Sequence, residues 1–196
     1  MAGRTDWRIL ADIASRIGQS LDAQLLDRLR AVYIERLREE IQHSGEGVKG
    51  ALPGVPALLS ALAARADAVM GLLTGNFEEG ARIKLEYFDL WRYFRCGAYG
   101  DDAEDRNALV PFALQRARDC TGHAFGPQDV VVIGDTPLDV ECAHAGGARA
   151  VGVATGGFTV DDLRRSGADA VFSDLRDTAA VLRALFLEVR TLKPEP

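Results

Sequence analysis

Val130-Val131-Val132-Ile133-Gly134-Asp135-Thr136-Pro137-Leu138-Asp139 is the stretch that decides how the rest of the chain is read. Its first four residues are β-branched and apolar without interruption, the pattern of a strand buried on both faces of a parallel sheet. Gly-Asp ends the run, and open α/β sheets place their ligand sites at the carboxyl ends of strands. A second aspartate follows four positions on, so Asp135 and Asp139 form a pair of hard oxygen donors of the kind Mg²⁺ takes. The same spacing suits Asp139 for capping the helix that follows, and both readings stand at this point. Asp135, at the end of an apolar strand, calls for the capping explanation less. This end of the molecule is expected to bind a metal or a phosphate.

Outward from that strand, helical and extended patterns alternate. On the amino-terminal side, Pro53–Arg65 reads as a helix, Ala68–Leu73 as a strand, Phe77–Phe88 as a helix, Phe94–Ala98 as a short strand and Leu109–Thr121 as an amphipathic helix. Beyond it come a helix around Val140–Ala145, a strand at Ala150–Val153, a helix at Asp161–Ser166, a strand at Ala170–Phe172 and a terminal helix at Thr178–Val189. Alternation of this kind implies a doubly wound, Rossmann-like parallel sheet covered by helices on both faces. The first part of the chain differs. Residues Asp6–Ile17 and Asp22–Gln42 carry apolar residues at helical spacing, with no strand between them. His43-Ser44-Gly45-Glu46-Gly47 then breaks the pattern. The expected organisation is a small helical region over 1–46 and an α/β core over 47–196.

Composition narrows the function. A chain of 196 residues suits one domain with a small appendage. A net charge of −6 argues against nucleic acid as partner, since phosphate backbones need a basic face. Cys96, Cys120 and Cys142 lack CxxC spacing, and His43, His123 and His144 are scattered singly, so zinc and a disulfide framework are not expected. No apolar run reaches membrane-spanning length and no signal-peptide pattern opens the sequence. The expectation is a soluble, cytoplasmic protein with reduced thiols and no membrane partner. None of these patterns encodes an oligomeric state.

Two further segments carry chemistry. Thr74-Gly75-Asn76 ends the Ala68–Leu73 strand just before a helix. A hydroxyl, an unhindered glycine N–H and an amide at a helix N-terminus suit an anion. They equally suit a helix cap and turn. Arg106 follows the acidic loop Gly100-Asp101-Asp102-Ala103-Glu104-Asp105. It is either part of a solvated charge cluster or the cation that offsets a phosphate.

Taken together, these residues resemble the haloacid dehalogenase (HAD) superfamily, in particular its phosphoglycolate-phosphatase-like members. Leu72-Leu73-Thr74-Gly75-Asn76 matches the family's second motif, a strand ending in Ser or Thr. Arg106 with Pro111 matches the third, a cation with a proline five residues later, although Asn107 stands where the family often has proline. Gly134, Asp135 and Asp139 match the fourth. Ala145-Gly146-Gly147-Ala148 and Val151-Gly152-Val153 are also similar, so the resemblance covers roughly residues 50–190. It implies a HAD-like core with a partial helical cap, acting on a small phosphorylated metabolite with Mg²⁺ as cofactor. Thr74, Gly75, Asn76 and Arg106 would hold the phosphoryl group. Asp135 would bind the metal, with Asp139 supporting it through water. Such an arrangement fits phosphoryl transfer, in which positioning and charge neutralisation dominate.

The family's first motif, an apolar strand ending in Asp-x-Asp, supplies the nucleophile and the general acid. No two aspartates stand two positions apart anywhere in these 196 residues. Gly3-Arg4-Thr5-Asp6 is similar to a segment that in relatives lies inside the cap, after that motif. The catalytic residues are therefore expected to be absent. The first strand, central in the family's sheet, is expected to be absent with them. Met1 is then an internal residue of a longer, truncated phosphatase. The alternatives are a remnant that binds a phosphate or a partner without catalysis, and a missing strand supplied by another segment or chain. A dinucleotide-binding domain would need Gly-x-Gly-x-x-Gly after a strand, which Gly146-Gly147 and Gly156-Gly157 do not supply. A receiver-type domain would need a late lysine, and none occurs between Lys84 and Lys193.

Overall fold

The computed structural model describes residues 3–43 and 49–186. The first two helices are α1 (Asp6–Arg16) and α2 (Ala23–Glu40). Each starts at a side-chain cap: Thr5 Oγ1 accepts from the Arg8 N–H at 3.2 Å, and Asp22 Oδ1 from the Leu25 N–H at 2.7 Å. Ile34 of α2 is buried where α2 packs on α4 (Glu78–Tyr87), and Tyr33 meets the ring of Phe77 edge to face. Most of the expected His43–Gly47 break lies outside the described residues.

The core is an alternation of β and α elements, and every strand pair is parallel. Strand β1 (Gly71–Leu73) pairs with β2 (Cys96–Ala98). Strand β3 (Val131–Gly134) pairs with β4 (Arg149–Val153), which pairs with β5 (Ala170–Phe172). The sheet is thus in two pieces, β1-β2 and β3-β4-β5, and among the described residues no strand joins them. β1 and β3 each keep one side without a ladder partner. Both are affected: β1 covers half of the expected Ala68–Leu73 strand, and Ile133, in the middle of an apolar run, is 37% exposed. A residue meant for a doubly covered strand is exposed when one flank is open.

Helices cover both faces of the larger piece, and one of them also packs on β1 and β2. On one face, α5 (Leu109–Thr121) and α6 (Pro137–Ala145) place Leu109, Val110, Val140 and Ala143 against Ala98, Val132 and Ala150. On the other, α3 (Val55–Ala63) and α8 (Thr178–Phe186) place Leu58, Leu62, Val181 and Leu185 against Val151 and Val153. A short α7 (Val160–Arg165) packs Leu163 over β4 and β5. Gly54 opens α3 with φ +85°, where a Cβ would lie 2.0 Å from the Leu175 carbonyl carbon, so only glycine fits that approach. The expected Thr178–Val189 helix is followed to Phe186, and its last three residues lie outside the described ones. No described helix is long and apolar enough to cross a membrane.

Candidate functional site

The parallel pairing puts the carboxyl ends of β1 and β2 on one side, and the loops that leave them carry the residues singled out above. At the end of β3 the chain turns directly into α6, with Thr136 as N-cap and Pro137 in the first helical position. Asp139 Oδ2 accepts from the Thr136 N–H at 2.9 Å, the Thr136 hydroxyl at 2.9 Å and the Asp135 N–H at 3.1 Å. Thr136 Oγ1 in turn accepts from the Asp139 N–H at 3.3 Å, which completes a reciprocal capping box. Gly134 makes the turn possible, because a Cβ there would stand 2.2 Å from the Asp139 carboxyl carbon.

The second oxygen of Asp139, Oδ1, accepts from the Arg106 guanidinium. The two side chains are only 8% and 15% exposed, so this is a nearly buried ion pair. Arg106 also donates to the Gly3 carbonyl at 3.1 Å, and its Nε is buried without a partner. Of the two readings open for Asp139, the structure realises capping: both of its oxygens are taken by protein donors. Arg106 is neither a solvated charge nor a free cation.

Asp135 is different. Its N–H donates to Asp139, and among the described residues no donor of another residue bonds its carboxylate. Burial pushes its pKa above the usual carboxylate range, and the negative charge of Asp139 adds to that, with Arg106 opposing. The loop after β4 comes so close that a Cβ at Gly156 would lie 2.2 Å from Asp135 Oδ2.

Thr74 ends β1, its N–H donating to the Ala98 carbonyl at 3.0 Å and its Oγ1 accepting from the Asn76 N–H at 3.1 Å. The Thr74-Gly75-Asn76 segment is therefore a tight turn into α4, as one of its two readings expected. It meets the Arg106 group through a segment that sequence reasoning placed in the cap. The Asp6 N–H donates to the Gly75 carbonyl at 2.7 Å, and Thr5 Oγ1 to the Glu104 carbonyl at 2.8 Å. The Asp6 carboxylate accepts from the Phe77 N–H at 2.9 Å and from Asn76 Nδ2 at 3.3 Å. At the other end, a Cβ on Gly3 would lie 2.7 Å from Thr136 Oγ1. Gly3–Asp6 thus spans from the loop after β1 to the loop after β3. Asp6 takes a helix N-terminal amide that would otherwise suit an external anion.

A family model described as HAD-hydrolase-like matches residues 106–178, the segment from Arg106 through the β3 aspartates to the start of α8. A curated phosphoglycolate phosphatase from Shigella boydii is 25% identical over 167 residues, 85% of this chain. This chain spans 63% of that enzyme's length. Among solved structures, a hydrolase from Pseudomonas syringae superposes with a TM-score of 0.64 at 24% identity, covering 92% of this chain and 78% of that one. A predicted phosphoglycolate phosphatase from Haemophilus somnus superposes at 0.65 with 17% identity, covering 93% and 79%. Residues 106–178 of this chain thus resemble the HAD-hydrolase-like family.

The similarity to the curated phosphoglycolate phosphatase extends beyond that segment as well. The chain's residues fit a divalent cation in part. Asp135 offers a carboxylate at a strand end, the donor type Mg²⁺ prefers. Both oxygens of Asp139 already accept from protein donors, and among the described residues no group of three His, Cys, Asp or Glu side chains could enclose a metal. Asp139 holds the turn that carries Asp135.

Two residues of the site were not singled out from sequence. Asp6 was legible only as the first residue of a helix after an N-cap threonine, and its contacts lie about seventy positions away. Lys84 Nζ donates to Asn76 Oδ1 at 3.1 Å, and burial lowers its pKa with Asp6 opposing. A lone lysine within a helix gives no signal of that placement.

Proposed function

We propose that this chain is, in its complete form, a HAD-like, Mg²⁺-dependent phosphatase of a small phosphomonoester of the phosphoglycolate class. The chain as it stands lacks the Asp-x-Asp nucleophile and does not turn over. The observation that carries the reading is that Gly3–Asp6 ties the Thr74-Gly75-Asn76 turn to Arg106 and to the loop that bears Asp135. In that reading Thr74 and the backbone around Gly75 and Asn76 hold phosphoryl oxygens, and Arg106 offsets their charge once Asp139 shares it. Asp135 holds Mg²⁺, which would supply charge neutralisation at the transferring phosphoryl group. Asp139 holds both Arg106 and the Asp135 loop in place. Residues 1–46 are the remaining part of a cap and 47–196 the core.

The split between β1 and β3 supports the same proposal, because it leaves a gap where the family's first strand, with its nucleophile, would end beside Thr74 and Asp135. The test is release of p-nitrophenol from p-nitrophenyl phosphate with Mg²⁺. The purified chain is expected to give none above buffer, and clear metal-dependent turnover would sink the claim that the nucleophile is missing. The same chain preceded by an apolar strand ending in Asp-x-Asp is expected to turn over. Asp135→Asn in that extended chain is expected to abolish activity, and normal activity would refute the metal assignment.

A second reading, a remnant that binds phosphate or a partner without catalysis, draws on the way Arg106 is already neutralised by Asp139 and Gly3. It predicts an extended chain that remains inactive while inorganic phosphate still raises its Tm.

A further inference from the structure

Cys96 and Cys120 lie away from the site just described, and the phosphatase reading uses neither. Cys96 opens β2, at the end of the strand opposite to the ligand loops, and Cys120 lies in the last turn of α5, which packs on β2. Both residues line one groove of about 490 Å³ beside β2, together with Arg95, Arg116, Trp91 and Phe94. Two contacts tie the segments together: Cys120 Sγ donates to the Arg95 carbonyl at 3.1 Å, and the Arg95 guanidinium donates to the Cys120 carbonyl at 3.4 Å. Arg95 is the residue immediately before Cys96, so the Cys120 thiol sits one peptide unit from the second cysteine. Gly71, opposite Cys96 in the ladder, leaves the Cys96 sulfur room, since even a Cβ there would only touch it at 3.4 Å.

The three cysteines differ in access: Cys120 is exposed, Cys96 half-buried and Cys142 buried. Burial holds the Cys96 thiol above the usual thiol range, and the neighbouring Cys120 thiol raises it further, the effect expected of two thiols that share one location. Metal binding is the competing use of paired cysteines. Among the described residues no third His, Cys, Asp or Glu joins them into a group that could hold a metal ion.

We propose that Cys96 and Cys120 are a dithiol that closes to a reversible disulfide when it meets a low-molecular-weight disulfide. The exposed Cys120 thiolate attacks one sulfur of the small disulfide, whose S–S bond breaks and releases one small thiolate. Cys96 then gives its proton to solvent and attacks the Cys120 sulfur, and the second small thiolate leaves. Two protein thiols become one disulfide, and the small disulfide is reduced to two thiols. The bond locks the start of β2 to the end of α5 and closes the groove beside β2.

The experiment uses the full chain and oxidised glutathione. The expected product has lost the mass of two hydrogens, and its digest contains one peptide pair joined through Cys96 and Cys120. Of the three cysteines in the chain, one is then left to titrate under denaturing conditions, and dithiothreitol restores the rest. Closure is expected to speed up as pH rises, because Cys96 reacts as the thiolate, and the oxidised chain is expected to melt at a higher temperature than the reduced one. Cys96→Ser is expected to stop at a glutathione adduct on Cys120. A wild-type chain that keeps that adduct, or that forms only intermolecular disulfides, would overturn the proposal.

Discussion

Arg106 and Asp139 show how a single buried contact can be both structure and site. The pair is nearly enclosed, and each partner makes further bonds, Arg106 to Gly3 and Asp139 to the α6 N-terminus. Removing one side leaves an uncompensated buried charge, which costs more than the pair itself contributes. Arg106→Ala is expected to lower stability by about 3–5 kcal/mol, read as a shift of the urea midpoint at unchanged slope; a loss within 1 kcal/mol or so would mean the pair is solvated in solution. Asp135 predicts the opposite sign. Its folded pKa is raised, so the native state prefers the protonated acid. The associated stability is present at low pH and is lost as pH rises through the raised value, leaving a penalty at neutral pH. Asp135→Asn is therefore expected to stabilise the metal-free chain at pH near 7 by about 0.5 kcal/mol, a screened interaction on a partly exposed group. The difference should vanish in acid, and melting curves across the carboxylate range would show it.

At the scale of elements, α6 depends on its cap more than on its length. Thr136 and Asp139 satisfy each other and three backbone amides, and both are buried. Thr136→Ala is expected to cost about 1–2 kcal/mol, measured by thermal melting, whereas Thr136→Ser should keep most of it. Such local elements were legible in the sequence: α5 and β5 span the residues that periodicity assigned, Leu109–Thr121 and Ala170–Phe172. β1 and β2 are shorter than the patterns at Ala68–Leu73 and Phe94–Ala98, because a strand is as long as its partners allow. The residues of the candidate site were legible one by one, since each is a strand end or a cap. Their contacts were not. The Arg106–Asp139 pair and the bridge from Gly3 to Asp6 join positions far apart in sequence, and no local pattern encodes such a meeting.

For the whole molecule, the decisive fact is the division of its sheet. β4 has a ladder on both sides, whereas β1 and β3 have one each, and the helices above and below bury apolar surface against both pieces. The pieces are held at one end by Gly3–Asp6, which bonds beside β1 and packs beside β3. A short bridge of this kind sets the spacing of a gap without filling its two rows of backbone groups. The gap therefore carries a cost that any fitting strand would relieve, several kcal/mol at ~25 cal/mol per Å² of apolar area covered. Hydrogen exchange measures this directly. In the chain alone, alternate β3 amides, those not turned toward β4, are expected to exchange as fast as loop amides, while the β4 amides of Ala150–Val153 exchange slowest. Adding an apolar strand ahead of the chain, in the extended form described above, is expected to slow those β3 amides by orders of magnitude and to raise Tm. If the β3 amides are already protected in the chain alone, the two pieces close on each other in solution and the gap is not there to fill.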